Sequence, residues 1–504
     1  MTEQIAETAD SGRSTPHPKP SLGTKLAYGV GSAAYGAKDS GLKYFLLLFY
    51  SQVVGVDSRL VSLAILIALV CDAISDPLVG YWSDNFRSRW GRRHPFMYAA
   101  AVPVSVSFYA MWNPPMDWDE GSLFWYILVC AVVVRTFITF YETPSTALAP
   151  ELSRDYDERS KILGFRYFFG WSGGNMLTVA TFIVIFPAFA TAAYPNGQFN
   201  PEAYQVFGLA GSVVIFSAIL ISAVGTHHTI PTLTVPPKRQ KIGIGGVFRE
   251  MYQAVSSKSF FALFAAALVG MIASGLTAGL TFYLFTYFWD FTSQQTGLLT
   301  FGVFFSAIIG STMAPIVTRK LGKQRAAIII GIIAFGAGPL PVVLRLFDLM
   351  PENGDPILFW IVFIAQTIDV GLIVCFQILS SSMMADLVEQ SEVKTGKRAE
   401  GVFFAAGTFI RKCGEGFGIV AAGFVLSGIG FAAGAQQGEV SDETVWLLGA
   451  TYVPLVWLLF ALVIAIITFY DVDRGKHEKA LRDLAQRDQA QSDQTTRAQR
   501  NPAE

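Results

Sequence analysis

Long apolar runs separated by short polar segments dominate the hydrophobic pattern of this chain. A run of about 20 apolar residues is long enough for an α-helix to cross the hydrocarbon core of a bilayer. The candidate runs are 26–53, 60–83, 96–114, 122–149, 162–187, 205–225, 259–291, 296–317, 326–347, 357–385, 401–431 and 444–470. The pattern therefore predicts an all-α integral membrane protein with twelve transmembrane helices, numbered here as spans 1 to 12.

Basic residues between the spans fall on alternate loops. They cluster in 87–93, 154–161, 238–249, 319–325 and 394–398, whereas 113–121, 188–204, 291–296, 348–356 and 432–443 contain no Lys or Arg. Because basic loops stay in the cytoplasm, this asymmetry predicts a multi-pass protein of the inner membrane with both termini cytoplasmic.

The longest connection between apolar runs falls near the middle and divides the chain into two halves of six spans, as expected of parallel repeats. The residues before span 1 lack the basic, apolar and small-residue order of a signal peptide. The predicted segments are 1–23, a disordered cytoplasmic tail; 24–225, the N-terminal six-helix half; 226–258, a central cytoplasmic loop; 259–470, the C-terminal six-helix half; and 471–504, a cytoplasmic tail.

The composition excludes several classes of protein. Of the 504 residues, 52% are hydrophobic and 15% are charged, which is too apolar for a soluble enzyme. No basic patch indicates nucleic acid, and no nucleophile–base spacing or phosphate-binding loop indicates an enzyme or a cofactor. The cysteines lie in apolar runs without metal-ligand spacing and are expected to be free thiols: Cys71, Cys130, Cys375 and Cys413.

Several spans carry ionisable residues at a depth where lipid would normally surround them. Asp72 and Asp76 lie four residues apart, on one face of span 2. A carboxylate at mid-membrane costs about 2.5–3.5 kcal/mol on insertion scales, so it usually faces a bundle interior. Other polar residues in the spans are Tyr35, Lys38, Asp39, Arg135, Thr139, Glu142, Arg166, Asp369, Gln377, Thr408, Lys412 and Glu415. They predict a hydrophilic cavity, although any single one could instead form a structural salt bridge between helices.

Motifs in a fixed order accompany these charges. They are Asp72-Ala-Ile-Ser-Asp76-Pro, the turn Arg87-Ser-Arg-Trp-Gly91, Tyr141-Glu-Thr-Pro144, Tyr156-Asp-Glu-Arg159, Gly164-Phe-Arg166 and Arg411-Lys-Cys-Gly414. With them the chain resembles, over nearly its whole length, the glycoside–pentoside–hexuronide:cation symporter family of the major facilitator superfamily. The resemblance implies the major facilitator fold and a symporter that takes up a sugar or glycoside by alternating access.

By position, the resemblance implies a coupling-cation site and a solute site. The first comprises Asp72, Asp76 and Thr139, with Arg135 one turn before Thr139. The second comprises Asp39, Glu142, Arg166, Thr408 and Lys412, to which we add Tyr35, on the same side of its helix as Asp39, and Gln377 in span 10. The expected partners are a small solute and membrane lipid, with the protein acting as a monomer and holding no cofactor apart from H⁺ or Na⁺.

Departures from the family pattern affect both sites. Thr146 and Gln377 stand where galactoside carriers of the family have tryptophans, and Arg135 stands where the family has glycine. If Arg135 points toward Asp72 or Asp76, its fixed charge supplies the neutralisation that sodium would provide, which favours proton coupling. If Arg135 pairs with Glu142 instead, a sodium site at the two carboxylates stays intact. A lipid or lysolipid flippase on the same fold is the alternative function.

Overall fold

The computed structural model describes residues 20–153, 155–232, 258–395 and 400–468, without the side chains of 156–157, 258–260, 385–395, 400–406 and 408–409. Within these ranges the chain contains helices and no strand. The membrane-length segments are α1 (Leu22–Val30, Ser32–Ser40, Gly41–Phe45, Leu46–Leu48 and Phe49–Val53), α2 (Ser58–Asn85), α3 (His94–Met111), α4 (Glu120–Leu152), α5 (Tyr156–Ala180, Thr181–Ile185 and Phe186–Ala188), α6 (Pro201–His227), α7 (Lys258–Tyr283 and Leu284–Phe288), α8 (Ser293–Leu321), α9 (Lys323–Ala337 and Leu340–Leu346), α10 (Pro356–Thr395), α11 (Glu400–Gly428) and α12 (Asp442–Ile467).

These segments correspond in order to the predicted spans, and the all-α membrane fold is confirmed. In the described residues, nine helices are long and apolar enough by composition alone to cross a membrane. The predicted central loop lies largely outside the described residues, because α6 continues to His227 and α7 begins at Lys258. Most of the two predicted tails also lies outside them.

The two ends of the bundle differ in charge. The loops 54–57, 112–119, 189–200, 289–292, 347–355 and 429–441 contain no Lys or Arg and form what we call the neutral end. The opposite end, called the basic end, carries Arg92 and Arg93, which both pair with Glu151.

The N-terminal half (α1–α6) and the C-terminal half (α7–α12) meet at the neutral end. There Gly434 N donates to Ser51 O at 2.9 Å, and Gln198 Nε2 donates to Thr286 Oγ1 at 3.0 Å. In the part of the chain that the structure describes, the hydrogen bonds and ion pairs between the halves lie at this end or at the level of the charged residues. The conformation is therefore closed at the neutral end.

Glycines allow the helices that carry charge to approach closely. A Cβ on Gly36 of α1 would lie 1.9 Å from the carbonyl oxygen of Gly170 in α5. A Cβ on Gly275 of α7 would lie 2.2 Å from the carbonyl oxygen of Glu415 in α11. Small residues at helix interfaces let backbones approach in this way inside membranes. The contacts fix the positions of α1, α5 and α11 around the charged residues.

Pro77 interrupts the hydrogen-bond pattern of α2 directly after Asp76. Because proline has no N–H, the carbonyl of Ala73 loses its helical partner. The Ala73 carbonyl oxygen, which lies between Asp72 and Asp76 in the sequence, therefore lacks its usual helical hydrogen bond.

Candidate solute and cation site

The first group of polar side chains, called the carboxylate cluster, consists of Asp72, Asp76, Arg135, Thr139 and Lys412. Asp72 and Asp76 share a face of α2, and Thr139 of α4 lies opposite both. Its Oγ1 is 3.0 Å from Asp72 Oδ1 and 2.9 Å from Asp76 Oδ1, so its single proton can be donated to only one of them at a time. The Asp72 side chain is 3% exposed and that of Asp76 is 28% exposed.

Two cations neutralise the carboxylates. Arg135 Nη1 lies 3.5 Å from Asp72 Oδ2, whereas Glu142 pairs with a different arginine. Lys412 Nζ lies 2.8 Å from Asp72 Oδ2 and 2.6 Å from Asp76 Oδ2. The sequence assigned Lys412 to the solute, but the structure brings it to the carboxylates. Since Lys412 belongs to α11, it joins the two halves of the molecule.

The second group, called the Arg166 cluster, consists of Tyr28, Glu142, Ser145, Thr146 and Arg166. Arg166 Nη2 donates to Glu142 Oε1 at 2.5 Å and to Thr146 Oγ1 at 2.6 Å. Its Nη1 donates to Ser145 Oγ at 2.9 Å and to Tyr28 OH at 3.3 Å. The other carboxylate oxygen of Glu142, Oε2, is buried without a partner among the described residues. The cluster thus fixes the guanidinium and leaves one acceptor unsatisfied.

A small cavity, called the α1–α11 cavity, lies beside the carboxylate cluster. Leu69 and Ile419 line it together with seven polar side chains, which are Tyr35, Asp39, Lys43, Arg135, Arg411, Lys412 and Glu415. Lys38 Nζ lies 3.5 Å from Asp39 Oδ1 and 4.1 Å from the centre of the Tyr35 ring. Lys43 of α1 pairs with Glu415 of α11 in a further link between the halves.

The remaining predicted residues are not brought into these groups. Gln377 is exposed on α10 and is not among the residues that line the cavity. The side chain of Thr408 lies outside the described residues. Asp369 faces α9, where a Cβ on Gly338 would lie 2.8 Å from its Oδ1. It therefore lies within the C-terminal half, where its Oδ1 is buried without a hydrogen-bond partner among the described residues.

Sequence reasoning missed several residues of the site. Lys43 follows Asp39 by four residues, and Ser145 follows Glu142 by three, so helical spacing could have found both. Arg411 precedes Glu415 by four residues and could have been found in the same way, whereas Tyr28 had no such local signal. Their roles depend on which helices pack together.

Polar and charged side chains between two six-helix halves, in a membrane protein closed at one end, define a transporter of small solutes. The family described as "MFS/sugar transport protein" matches residues 27–474, and the chain belongs to this family. It is a multi-pass membrane transporter, not an enzyme.

Relatives and solved structures agree with this assignment. An uncharacterised symporter of Synechocystis, sll1374, is 26% identical over 90% of this chain and 95% of its own length. The isoprimeverose transporter of Lactiplantibacillus pentosus is 24% identical over 92% of this chain and 91% of its own. Sodium-dependent lysophosphatidylcholine symporter 1 of Gallus gallus is 24% identical over 92% of this chain and 90% of its own length. The crystal structure of the nucleoside transporter NupG, at 14% identity, shares the fold with a TM-score of 0.59 over 90% of this chain and 99% of that one.

Proposed function

We propose that this protein takes up a sugar or glycoside together with a proton across the inner membrane, as a monomer with both termini in the cytoplasm. The observation that carries the proposal is the position of Lys412, which joins α11 to both carboxylates of α2. Alternating access requires the halves to move relative to each other. A proton on Asp76 would weaken this ion pair, so movement of the halves becomes coupled to proton binding.

The choice of proton over sodium rests on the cations already present. A metal ion at the two carboxylates would have to displace the Lys412 ammonium and would also be repelled by the Arg135 guanidinium near Asp72. A proton needs no coordination space and can bind a carboxylate oxygen directly. Sodium remains the alternative, in which Lys412 leaves when the ion binds.

The Arg166 cluster supports a hydrophilic solute. A guanidinium fixed beside a carboxylate presents donors and acceptors together, and charge-assisted hydrogen bonds of this kind suit several sugar hydroxyls at once. The unsatisfied Oε2 of Glu142 would accept from one of them. The sugar-transport description of the family and the name of the isoprimeverose transporter support the same class of solute.

A lysolipid is the second candidate, because one relative is named as a lysophosphatidylcholine symporter. A lipid with an acyl chain requires an apolar pocket beside its headgroup site. Seven of the nine residues that line the α1–α11 cavity are polar or charged, with Leu69 and Ile419 as its apolar members, and this supports a hydrophilic solute.

The coupling ion is tested by transport into proteoliposomes. The sugar used in this assay is first chosen from a panel by its thermal stabilisation of the purified protein. The panel is measured with and without sodium and at two pH values. We expect a pH gradient to drive accumulation of up to about tenfold per pH unit, the limit for one proton per solute. A sodium gradient at constant pH should drive none. Accumulation driven by sodium without any response to a pH gradient would contradict proton coupling.

The orientation is tested by cysteine labelling in intact cells. Cysteines replacing Asp117 and Glu352, exposed residues of the neutral end, should react with an impermeant maleimide added outside, because the neutral loops are expected to be external. A cysteine replacing Lys238 should react only after lysis. The parent variant should lack Cys71 and Cys413, which are partly exposed. Labelling at residue 238 in intact cells would reverse the orientation.

A further inference from the structure

Asp369 is a single charge in a large apolar part of the C-terminal half. The sequence has no other Asp, Glu, Lys or Arg in 259–289, 293–318, 326–344, 356–385 and 444–470, which cover most of α7, α8, α9, α10 and α12. The remaining helix of this half, α11, directs its charges elsewhere: Lys412 and Glu415 pair with residues of α2 and α1, and Arg411 lines the α1–α11 cavity. Among the described residues, Asp369 therefore forms no ion pair.

The carboxyl group of Asp369 lies against a break in α9. This helix is interrupted between Ala337 and Leu340. A Cβ on Gly338, inside the break, would lie 2.8 Å from Asp369 Oδ1 and 3.0 Å from Oδ2. The carboxyl group thus occupies the space that a side chain at residue 338 would take, in direct contact with the backbone of the break.

The break also leaves backbone carbonyl groups without their helical donors. Pro339 and Pro341 have no N–H, so the carbonyls of Phe335 and Ala337 lose the hydrogen bonds that a continuous helix would give them. Carbonyl oxygens repel an ionised carboxylate, whereas they accept a hydrogen bond from a protonated carboxyl group. The backbone chemistry of the break therefore favours the neutral acid.

The neighbouring helices supply no positive charge to Asp369. The titratable group that faces it is Tyr452 of α12, whose hydroxyl can donate a proton in a hydrogen bond but carries no charge. The segments of α7, α8 and α9 that pack beside α10 contain no charged residue at this depth. An ionised carboxylate is costly in a membrane interior without a counter-charge, and a bound proton removes that cost.

We propose that Asp369 is a proton-binding site separate from the carboxylate cluster, and that the packing of the α9 break against α10 depends on its proton. The site lies within the C-terminal half and takes no part in the ion pairs that join the two halves. The inference therefore stands apart from the identity of the solute and of the coupling ion.

Infrared spectroscopy of the purified protein tests the protonation directly. A protonated carboxyl group has a C=O stretching band that is separate from the bands of a carboxylate and shifts on deuterium exchange. At neutral pH we expect the wild-type spectrum to contain an acid band that Asp369→Asn lacks. Asp117→Asn, which removes an exposed carboxyl group of the neutral end, should retain this band.

Thermal unfolding across pH tests whether the packing depends on the proton. If the folded state holds the proton more tightly than the unfolded chain, this contribution to stability is present at low pH and is lost as the pH rises. From about pH 6 to about pH 9, the wild-type Tm should fall by about 2 °C or more beyond the fall in Asp369→Asn, whose amide stays neutral. Asp117→Asn should follow the wild-type protein.

Two results would overturn the inference. Wild-type and Asp369→Asn spectra with the same acid bands would mean that Asp369 is ionised and binds no proton at neutral pH. A Tm that falls equally with pH in both proteins would mean that the α9 break packs in the same way with and without the proton. Both measurements are made without a solute, so neither result bears on sugar transport.

Discussion

Arg166→Gln is expected to reduce solute binding by about a hundredfold or more, which corresponds to about 2.7 kcal/mol. Arg166 is buried and donates to Glu142, Thr146 and Ser145, so its loss removes the positive charge that orients these acceptors. It also leaves the partly buried Glu142 carboxylate without a counter-charge, which destabilises the fold. Binding is measured by isothermal titration of the purified variant with the best sugar of the panel.

A double variant separates a solute role from a structural one. Glu142→Gln together with Arg166→Gln removes both charges, so an unpaired, partly buried carboxylate no longer destabilises the fold. If Arg166 and Glu142 bind solute, the double variant should regain the thermal stability that Arg166→Gln loses, but it should not regain solute binding. Recovery of transport in the double variant would assign Arg166 and Glu142 to helix packing alone.

Features that depend on helical spacing were predictable from the sequence. The twelve apolar runs correspond to the helices of the structure because each is long enough to cross a bilayer. Asp72 and Asp76 share one face because they lie four residues apart on α2. The resemblance implied that spans 2 and 4 pack together, which left Arg135 able to reach a carboxylate of span 2 or Glu142, and the structure has it 3.5 Å from Asp72.

Features that depend on contact between the halves were not predictable. The sequence analysis placed Lys412 with the solute. Nothing local in α11 shows which of the two side chains, Lys412 or Arg411, faces α2. The two are consecutive, and helical geometry turns them about 100° apart. Only the packing of α11 against α2 brings Lys412 to the carboxylates and leaves Arg411 in the α1–α11 cavity. The link between Lys43 and Glu415 was missed for the same reason.

The structure gives α11 a specific place in the proposed mechanism. Lys412 connects it to α2, and Glu415 connects it to α1. Both links would have to be broken or exchanged if α11 moves away from the N-terminal half. A proton on Asp76 would weaken the first link.

Lys412→Gln is expected to create a sodium-dependent site, whereas the wild-type protein is expected not to respond to sodium. The four charges of the carboxylate cluster sum to zero, so loss of the lysine leaves one net negative charge. The vacated position is bordered by the Oδ2 atoms of Asp72 and Asp76, and carboxylate oxygens are the ligand type that hard cations prefer. Sodium at a hundred times its Kd would then stabilise the variant by about 2.7 kcal/mol.

Thermal unfolding in sodium and in choline chloride, at equal ionic strength, measures this effect. We expect a sodium-specific increase in Tm for Lys412→Gln and none for the wild-type protein. Asp76→Asn combined with Lys412→Gln restores neutrality and should abolish the response, because the remaining carboxylate is already paired with Arg135. A wild-type protein that is stabilised by sodium to the same extent would mean that Lys412 does not occupy the cation position, and proton coupling would lose its physical basis.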